Sequence, residues 1–393
     1  MINWGQPASL VARAVRLVTN EATALGLTGV APFRDADVGP YIVDTWPEPV
    51  AVRLDSPENV AGPRAWTDDV PAAIRYHYTA EIENGAVFAN GAVLAADGGH
   101  ITGATHKTLD SQKRRRKLAV WGTAIAPYRP MPRIAHYDRP VLAMTASNQH
   151  LFFHWLIDCL PRLLRLKESL DPETLIYADR SRPFQREGLA LAGIPADYII
   201  DAARIPALTS RRLIVPCHQF TRGSLLPDWA VAALRGLVAP AREALPPAAR
   251  GHGSRLYISR GDAAHRRVRN EDELFALLNS HGFTLLQLSH LSLAEQIVAF
   301  ADADIVIAPN GGGLANLVFS RPGTRFIELL PRSNIDALRF LCASAGLEFG
   351  YIKSAECNED TAWESLTDFA VDMGPVAEFL ERIKGGSGSS SWI

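Results

Sequence analysis

Apolar and polar positions change period along this 393-residue chain. Within residues 74–108 they alternate, as in Ile74-Arg75-Tyr76-His77-Tyr78 and Ala86-Val87-Phe88-Ala89-Asn90, and Asn84-Gly85, Asn90-Gly91 and Asp97-Gly98 punctuate them. Period-two alternation broken by such pairs predicts hairpins, hence a small antiparallel β region. From Val141 onward, short apolar runs alternate with amphipathic stretches. Strands are predicted at Val141–Thr145, Leu175–Ala178, Tyr198–Ile200 and Leu213–Val215, with a helix from His154 to Leu170 that Pro161 can kink. Residues 240–254 hold three prolines and two glycines and mark the best domain boundary. Beyond it the alternation restarts: a strand at Arg255–Ser259, a helix near 271–280, a strand at Thr284–Gln287, a helix near 293–301 and strands at Asp304–Ala308 and 322–330. A further strand and a last helix fall within 347–379. Buried runs alternating with helices predict βαβ units and a largely parallel sheet. The expected domains are 1–245, Rossmann-like from about 140, and 254–384, followed by a flexible low-complexity tail, 385–393.

Composition narrows the class. With 47% hydrophobic and 21% charged residues the chain can bury a core, and its length suits two domains of about 150–200 residues. A net charge of -2 argues against a nucleic-acid partner, which favours a strongly basic domain. Cys159, Cys217, Cys342 and Cys357 are far apart, as expected of reduced thiols in a cytoplasmic protein. Ser9 to Leu27 mixes apolar residues with Arg13, Arg16 and Glu21 at helical spacing, which predicts an amphipathic helix and not a signal peptide. No apolar run approaches the ~18–20 residues that span a bilayer, so membrane contact is expected to be peripheral. The run Lys113-Arg114-Arg115-Arg116-Lys117 is either a solvated loop or a contact for anionic lipid headgroups or an acidic acceptor. Oligomeric state is not legible.

Candidate chemistry concentrates in three places. Asn310-Gly311-Gly312-Gly313-Leu314-Ala315-Asn316 lies between a strand and a segment that can open a helix. Glycines let the backbone approach an anion, and a helix N-terminus offers free N–H groups. Glu328, on the next strand, can bind ribose hydroxyls. The alternative is a tight turn without a ligand. Arg260 follows a predicted strand end, where open α/β sheets bind ligands, and a guanidinium matches diphosphate oxygens. Arg266, Arg267 and Arg269 can be a surface turn. His154 and Asp158, four apart on a helix, share a face, as suits a general base and its support, or a surface pair. Ser292 and Glu295 fit a capping box. Asp302 and Asp304 flank a buried-looking strand and are expected to be structural, and no metal-ligand cluster is visible.

These segments together resemble glycosyltransferase family 61. The resemblance rests on Phe153–Arg162, on Tyr257-Ile258-Ser259-Arg260 with Arg267 and Asn270-Glu271, on Leu291–Ile297, and on Ala308–Phe319 through Glu328-Leu329. Departures are Asn310 where the family usually has His, Gly312 where it often has Ala, and Asn148 displaced from the family's usual Asn. The resemblance implies the GT-B architecture of two Rossmann-like domains. It implies inverting, metal-independent transfer from a nucleotide-sugar, by analogy a UDP-sugar, to a glycan or lipid-linked acceptor in surface polysaccharide assembly. No cofactor is expected. The donor residues would be Arg260, Arg267, Asn310, Gly311, Gly312, Gly313, Asn316 and Glu328, and the base Asp158 or His154, with Asp158 preferred. A non-catalytic nucleotide- or glycan-binding member of the same fold is the alternative.

Overall fold

The computed structural model describes residues 35–36, 42–45, 58–59, 78–96, 100–101, 134–146, 148–216, 226–331, 337–354 and 367–384. The expected N-terminal helix, the Asp97-Gly98 turn, the Lys113–Lys117 run, Cys217, Cys357 and the tail lie outside the described residues. The chain is a mixed α/β protein of two compact units, one of Met1–Glu48 with Ile74–Phe220, the other of Pro49–Ala73 with Thr221–Ile393.

The described strands are, in chain order, β1 (Asp35–Ala36), β2 (Ile42–Thr45), β3 (Glu58–Asn59), β4 (Tyr78–Phe88), β5 (Val93–Leu94), β6 (His100–Ile101), β7 (Ala135–Tyr137) and β8 (Val141–Ala143). They continue as β9 (Leu175–Ala178), β10 (Ile199–Asp201), β11 (Ala207–Pro216), β12 (Arg255–Ile258), β13 (Thr284–Leu286), β14 (Ile305–Pro309), β15 (Arg325–Leu330) and β16 (Glu348–Lys353).

The first unit holds one sheet in the order β1-β6-β5-β4-β11-β8-β9-β10, with β2 also on β4 and β7 also on β11. The antiparallel region and the parallel strands are therefore not separate. They share β11, which runs antiparallel to β4 and parallel to β8. Asn90-Gly91 reverses the chain as expected: Phe88 N–H donates to Ala92 O at 2.9 Å, and Gly91 has φ 85° with Thr145 O 3.0 Å from where a Cβ would stand. Asn84-Gly85 does not. β4 passes straight through it, with Asn84 at φ 53°. The pairs Glu83↔Arg212 and Gly85↔Ser210 hold both sides to β11, so the long-range ladder overrides the local turn signal. Ile82, Val87, Val141, Tyr177, Leu208 and Leu213 close the core beneath this sheet.

The second unit holds a parallel sheet ordered β13-β12-β14-β15-β16-β3. Its first five strands read 2-1-3-4-5 from β12 onward, so the chain switches direction between β12 and β14. At such a switch point the loops leaving the two strands diverge, and a crevice opens outside their carboxyl ends. Helices Glu271–Asn279 and Leu293–Asp302 lie close to the predicted spans. The edge strand β3 comes from far upstream and pairs with Gly350 and Tyr351, a pairing no local pattern announced. Helices Asp228–Arg235 and Val238–Ala244 also belong to this unit. Arg242 grips Asp302 through two bonds of 3.0 and 2.6 Å, and Arg235 donates to the carbonyls of Val318, Ser320 and Ala345.

Candidate functional site

The crevice at the switch point is a pocket of about 230 Å³ lined by Ser259, Arg260, Leu288, Pro309, Gly311 and Gly313 among others. Two loops build it. After β12, the buried Tyr257 donates its hydroxyl to Glu271 Oε1 at 2.7 Å, and Ser259 Oγ donates to Glu271 Oε2 at 3.1 Å. Burial, and then the Glu271 charge, push the Tyr257 phenol far above its ordinary range, so it stays a donor. Ser259 Oγ in turn accepts the Gly261 N–H at 3.0 Å. Glu271, on the first turn of its helix, thus shapes the backbone that presents Arg260.

The second loop follows β14. Gly311 is buried against Arg260, and a Cβ there would collide with the guanidinium Nη1. At Gly313 a Cβ would stand 2.6 Å from Leu288 Cδ1. Gly312 is exposed. The helix that follows is a 3₁₀ helix, Gly312–Phe319, and not an α-helix. Leu314 N–H donates to Gly311 O at 3.1 Å, and the N–H groups of Gly312 and Gly313, at the start of the helix, have no partner within it and are available to an anion. Asn316 is wholly buried, donating from Nδ2 to Gln296 Oε1 at 2.8 Å and to Gly313 O at 2.9 Å. Gln296 Nε2 donates to Leu288 O and Leu291 O. Asn316 therefore braces the glycine loop from behind.

The flanking residues separate. Arg260 Nη2 donates to His265 O at 3.0 Å, folding the loop so that Arg266 reaches Asn310. Arg266 Nη1 donates to Asn310 Oδ1, and Asn310 Nδ2 donates to Glu328 Oε1 at 2.6 Å. Glu328 is fully buried on β15, so its carboxylate serves Asn310 from below the pocket. Arg267 turns elsewhere: it is exposed and pairs with Asp368 at 2.6 Å. That pairing holds the Asp368 carboxyl below its ordinary range. Arg266 is the site residue that sequence reasoning passed over. Nothing in His265-Arg266-Arg267 distinguishes the two cations until the backbone turns at Arg266, where φ is 61°. Burial lowers the pKa of both Arg260 and Arg266, and the positive charge of Arg266 lowers that of Arg260 further.

In the first unit, His154 Nδ1 and Asp158 Oδ2 lie 2.8 Å apart, and both side chains are partly exposed. They sit where the helix changes pitch. Phe152–His154 is α-helical, Trp155–Cys159 is a π-turn, and Leu160–Leu166 is α-helical again. Pro161 supplies the reason, having no N–H and a ring that crowds the carbonyl four residues back. The wider turn, in which Leu160 N–H reaches Trp155 O, relieves that crowding. Arg162, entirely buried, donates from Nε to Asp158 O at 2.7 Å and from Nη1 to Pro216 O at 3.3 Å, fixing the backbone that carries Asp158. Neighbouring Cys159 is buried, and burial pushes its thiol up to about 11, which unsuits it as a nucleophile.

The capping box is present: Ser292 Oγ accepts from Glu295 N–H at 3.2 Å, and Glu295 Oε2 accepts from Ser292 N–H at 2.7 Å. Asp302 pairs with Arg242 and Asp304 with Arg321. Among the described residues no group of three or more His, Cys, Asp or Glu could hold a metal ion, and no helix is long and apolar enough to cross a membrane.

Residues 152–327 match the model of the protein family described as Glycosyltransferase 61. No curated protein matches the chain. The matched span contains the His154–Asp158 pair, the Arg260 loop, the glycine loop and the first three residues of β15, ending one residue before Glu328.

Proposed function

We propose that this chain, whose residues 152–327 match the Glycosyltransferase 61 family model, is a member of that family and moves a sugar from a nucleotide-sugar, a UDP-sugar first among them, to a hydroxyl of a glycan or lipid-linked glycan. The observation that carries this reading is the switch-point pocket, in which Arg260 and the Gly311–Gly313 backbone converge at the ends of β12 and β14. Negative charge grows on the diphosphate as the sugar leaves. A guanidinium and backbone N–H groups already aimed there stabilise that charge without reorganising. Cationic side chains doing this work are the basis for proposing metal-independent transfer.

The acceptor hydroxyl must lose a proton. Asp158 occupies His154 Nδ1 and so leaves Nε2 as the face that can take it. We therefore assign His154 as the base and Asp158 as the carboxylate that orients it. Direct displacement at the anomeric carbon by the hydroxyl that His154 deprotonates, with inversion through an oxocarbenium-like state, belongs to the same proposal. The GT-B reading, with the acceptor-activating pair on one unit and the nucleotide site on the other, belongs to the same proposal, as do surface polysaccharide assembly and a cytoplasmic location.

Calorimetric titration with UDP, GDP and CMP, with and without chelator, tests it. The expected result is saturable binding of one nucleotide, indifferent to chelator and weakened at least tenfold by Arg260→Ala. Binding without transfer to any acceptor or water would favour a non-catalytic member of the family. Absence of binding to all three would overturn the donor site.

A further inference from the structure

The donor-site reading assigns Arg260, which lines the pocket with Gly311, but a second arginine, Arg266, is held on the adjacent residue, Asn310. Arg260 lies against Gly311, close enough that a Cβ there would push the guanidinium aside, and Arg266 bonds to the side chain of Asn310. The Arg260 Nη2 bond to His265 O draws the loop between them shut. Both guanidinium groups are partly buried, and each has a buried Nε without a hydrogen-bond partner. Two like charges brought together where both are half-buried repel, by more than Asp262 offsets at Arg260, and leaving each Nε unmet adds to the cost. Such a pair is built for an anion of more than one charge.

The way Arg266 is held sharpens the point. Its φ of 61° is a conformation that costs a non-glycine residue strain. The side chain is nonetheless fixed by a relay: Glu328, fully buried, accepts from Asn310 Nδ2, and Asn310 Oδ1 accepts from Arg266. The amide cannot be turned over without losing both bonds, so Asn310 passes the buried negative charge outward to one guanidinium orientation. A histidine at this position, neutral with one donor and one acceptor nitrogen, could serve the same relay only in one tautomer. Asn310 serves it at any pH.

We propose that Arg266, aimed by Asn310 and Glu328 beside the pocket, is the second phosphate-binding cation of the site, so that Arg260 and Arg266 take one phosphate each and the site selects diphosphate over monophosphate. This inference rests on the donor-site reading. Arg267, committed to Asp368, has no part in it.

Arg266→Gly is the decisive variant, because glycine removes the guanidinium and accepts the positive φ without strain. UDP, UMP and inorganic pyrophosphate are titrated into wild type, Arg266→Gly and Arg267→Ala, with a thermal melt of each. The expected result is a loss of at least tenfold in affinity for UDP and pyrophosphate in Arg266→Gly, with UMP within about twofold and a melting temperature no lower than wild type. Arg267→Ala is expected to bind all three within about twofold of wild type. Unchanged UDP affinity in Arg266→Gly overturns the inference. So does an equal loss of UDP and UMP with a lowered melt, which would mark Arg266 as structural. Wild type that binds UDP well but pyrophosphate and UMP alike would refute the two-phosphate assignment and leave the donor site standing. Wild type that binds none of the three removes the donor site and this inference with it.

Discussion

Asn310 and Gly311 are adjacent in the chain, yet each is matched to a different arginine, and the difference in side chain decides which. The amide at 310 holds Arg266 by hydrogen bonds, and the missing side chain at 311 makes room for Arg260. At the other candidate centre, the 2.8 Å contact between His154 and Asp158 makes a testable division of labour. His154→Ala is expected to lower kcat by roughly 10²–10⁴ with nucleotide affinity unchanged, as removal of a general base does. Asp158→Asn is expected to lower it less, since His154 keeps its Nε2 and loses only the carboxylate that orients its ring. Equal activity of His154→Ala and wild type, with the fold intact by circular dichroism, would dismiss the assignment. These residues differ in how legible they were. That His154 and Asp158 would meet, and that Arg260 and the glycine loop would stand at the ends of β12 and β14, could be read from spacing and residue type alone. Arg266 could not be separated from Arg267, because the choice depends on the sign of one backbone angle and on Asp368, about a hundred residues away.

Elements were most legible where local signals and packing agree. The helix Leu293–Asp302 begins with Ser292 and Glu295 in reciprocal contact, as Ser-Leu-Ala-Glu predicts. The hydroxyl and N–H of Ser292 hold the Glu295 carboxyl below its ordinary range. A carboxyl so depressed adds stability that is present above its unfolded value near 4.5 and is lost as pH falls through the folded value. Ser292→Ala should therefore cost about 1 kcal/mol in urea unfolding at pH 7. The difference should shrink as pH is lowered through the folded value, where Glu295 becomes protonated in the wild type too. A difference that does not change with pH would show that the carboxylate contributes nothing to the cap. Elements were least legible where a distant partner decides. Asn84-Gly85 reads as a turn until β11 is known to pair on both sides of it. The π-turn before Leu160 is visible in sequence only as a proline inside a helical pattern.

For the whole molecule, the sheet alternation after Arg255 was readable because parallel strands are short apolar runs between helices, whereas the helices Asp228–Arg235 and Val238–Ala244 join the second unit through particular side chains. Arg235 satisfies three carbonyls around the 3₁₀ helix and Arg242 satisfies Asp302. A fragment of residues 254–393 leaves all of these unmet, and a fragment of 221–393 keeps them. The longer fragment is expected to melt cooperatively and the shorter to melt lower, or to expose enough apolar surface to bind a hydrophobic dye. Equal melts would mean that these helices lend the second unit no stability. The segment Pro49–Ala73 gives the same unit an edge strand from the other side of the first unit's sequence. β3 leaves the ribosome 292 residues (350 − 58) before Gly350, its first partner on β16. At about 5–20 residues per second it waits roughly 15–60 s for a sheet to join. Folding on the ribosome thus cannot proceed strictly unit by unit: the first unit can close while a stretch of the second still hangs from it, its backbone donors open to other chains.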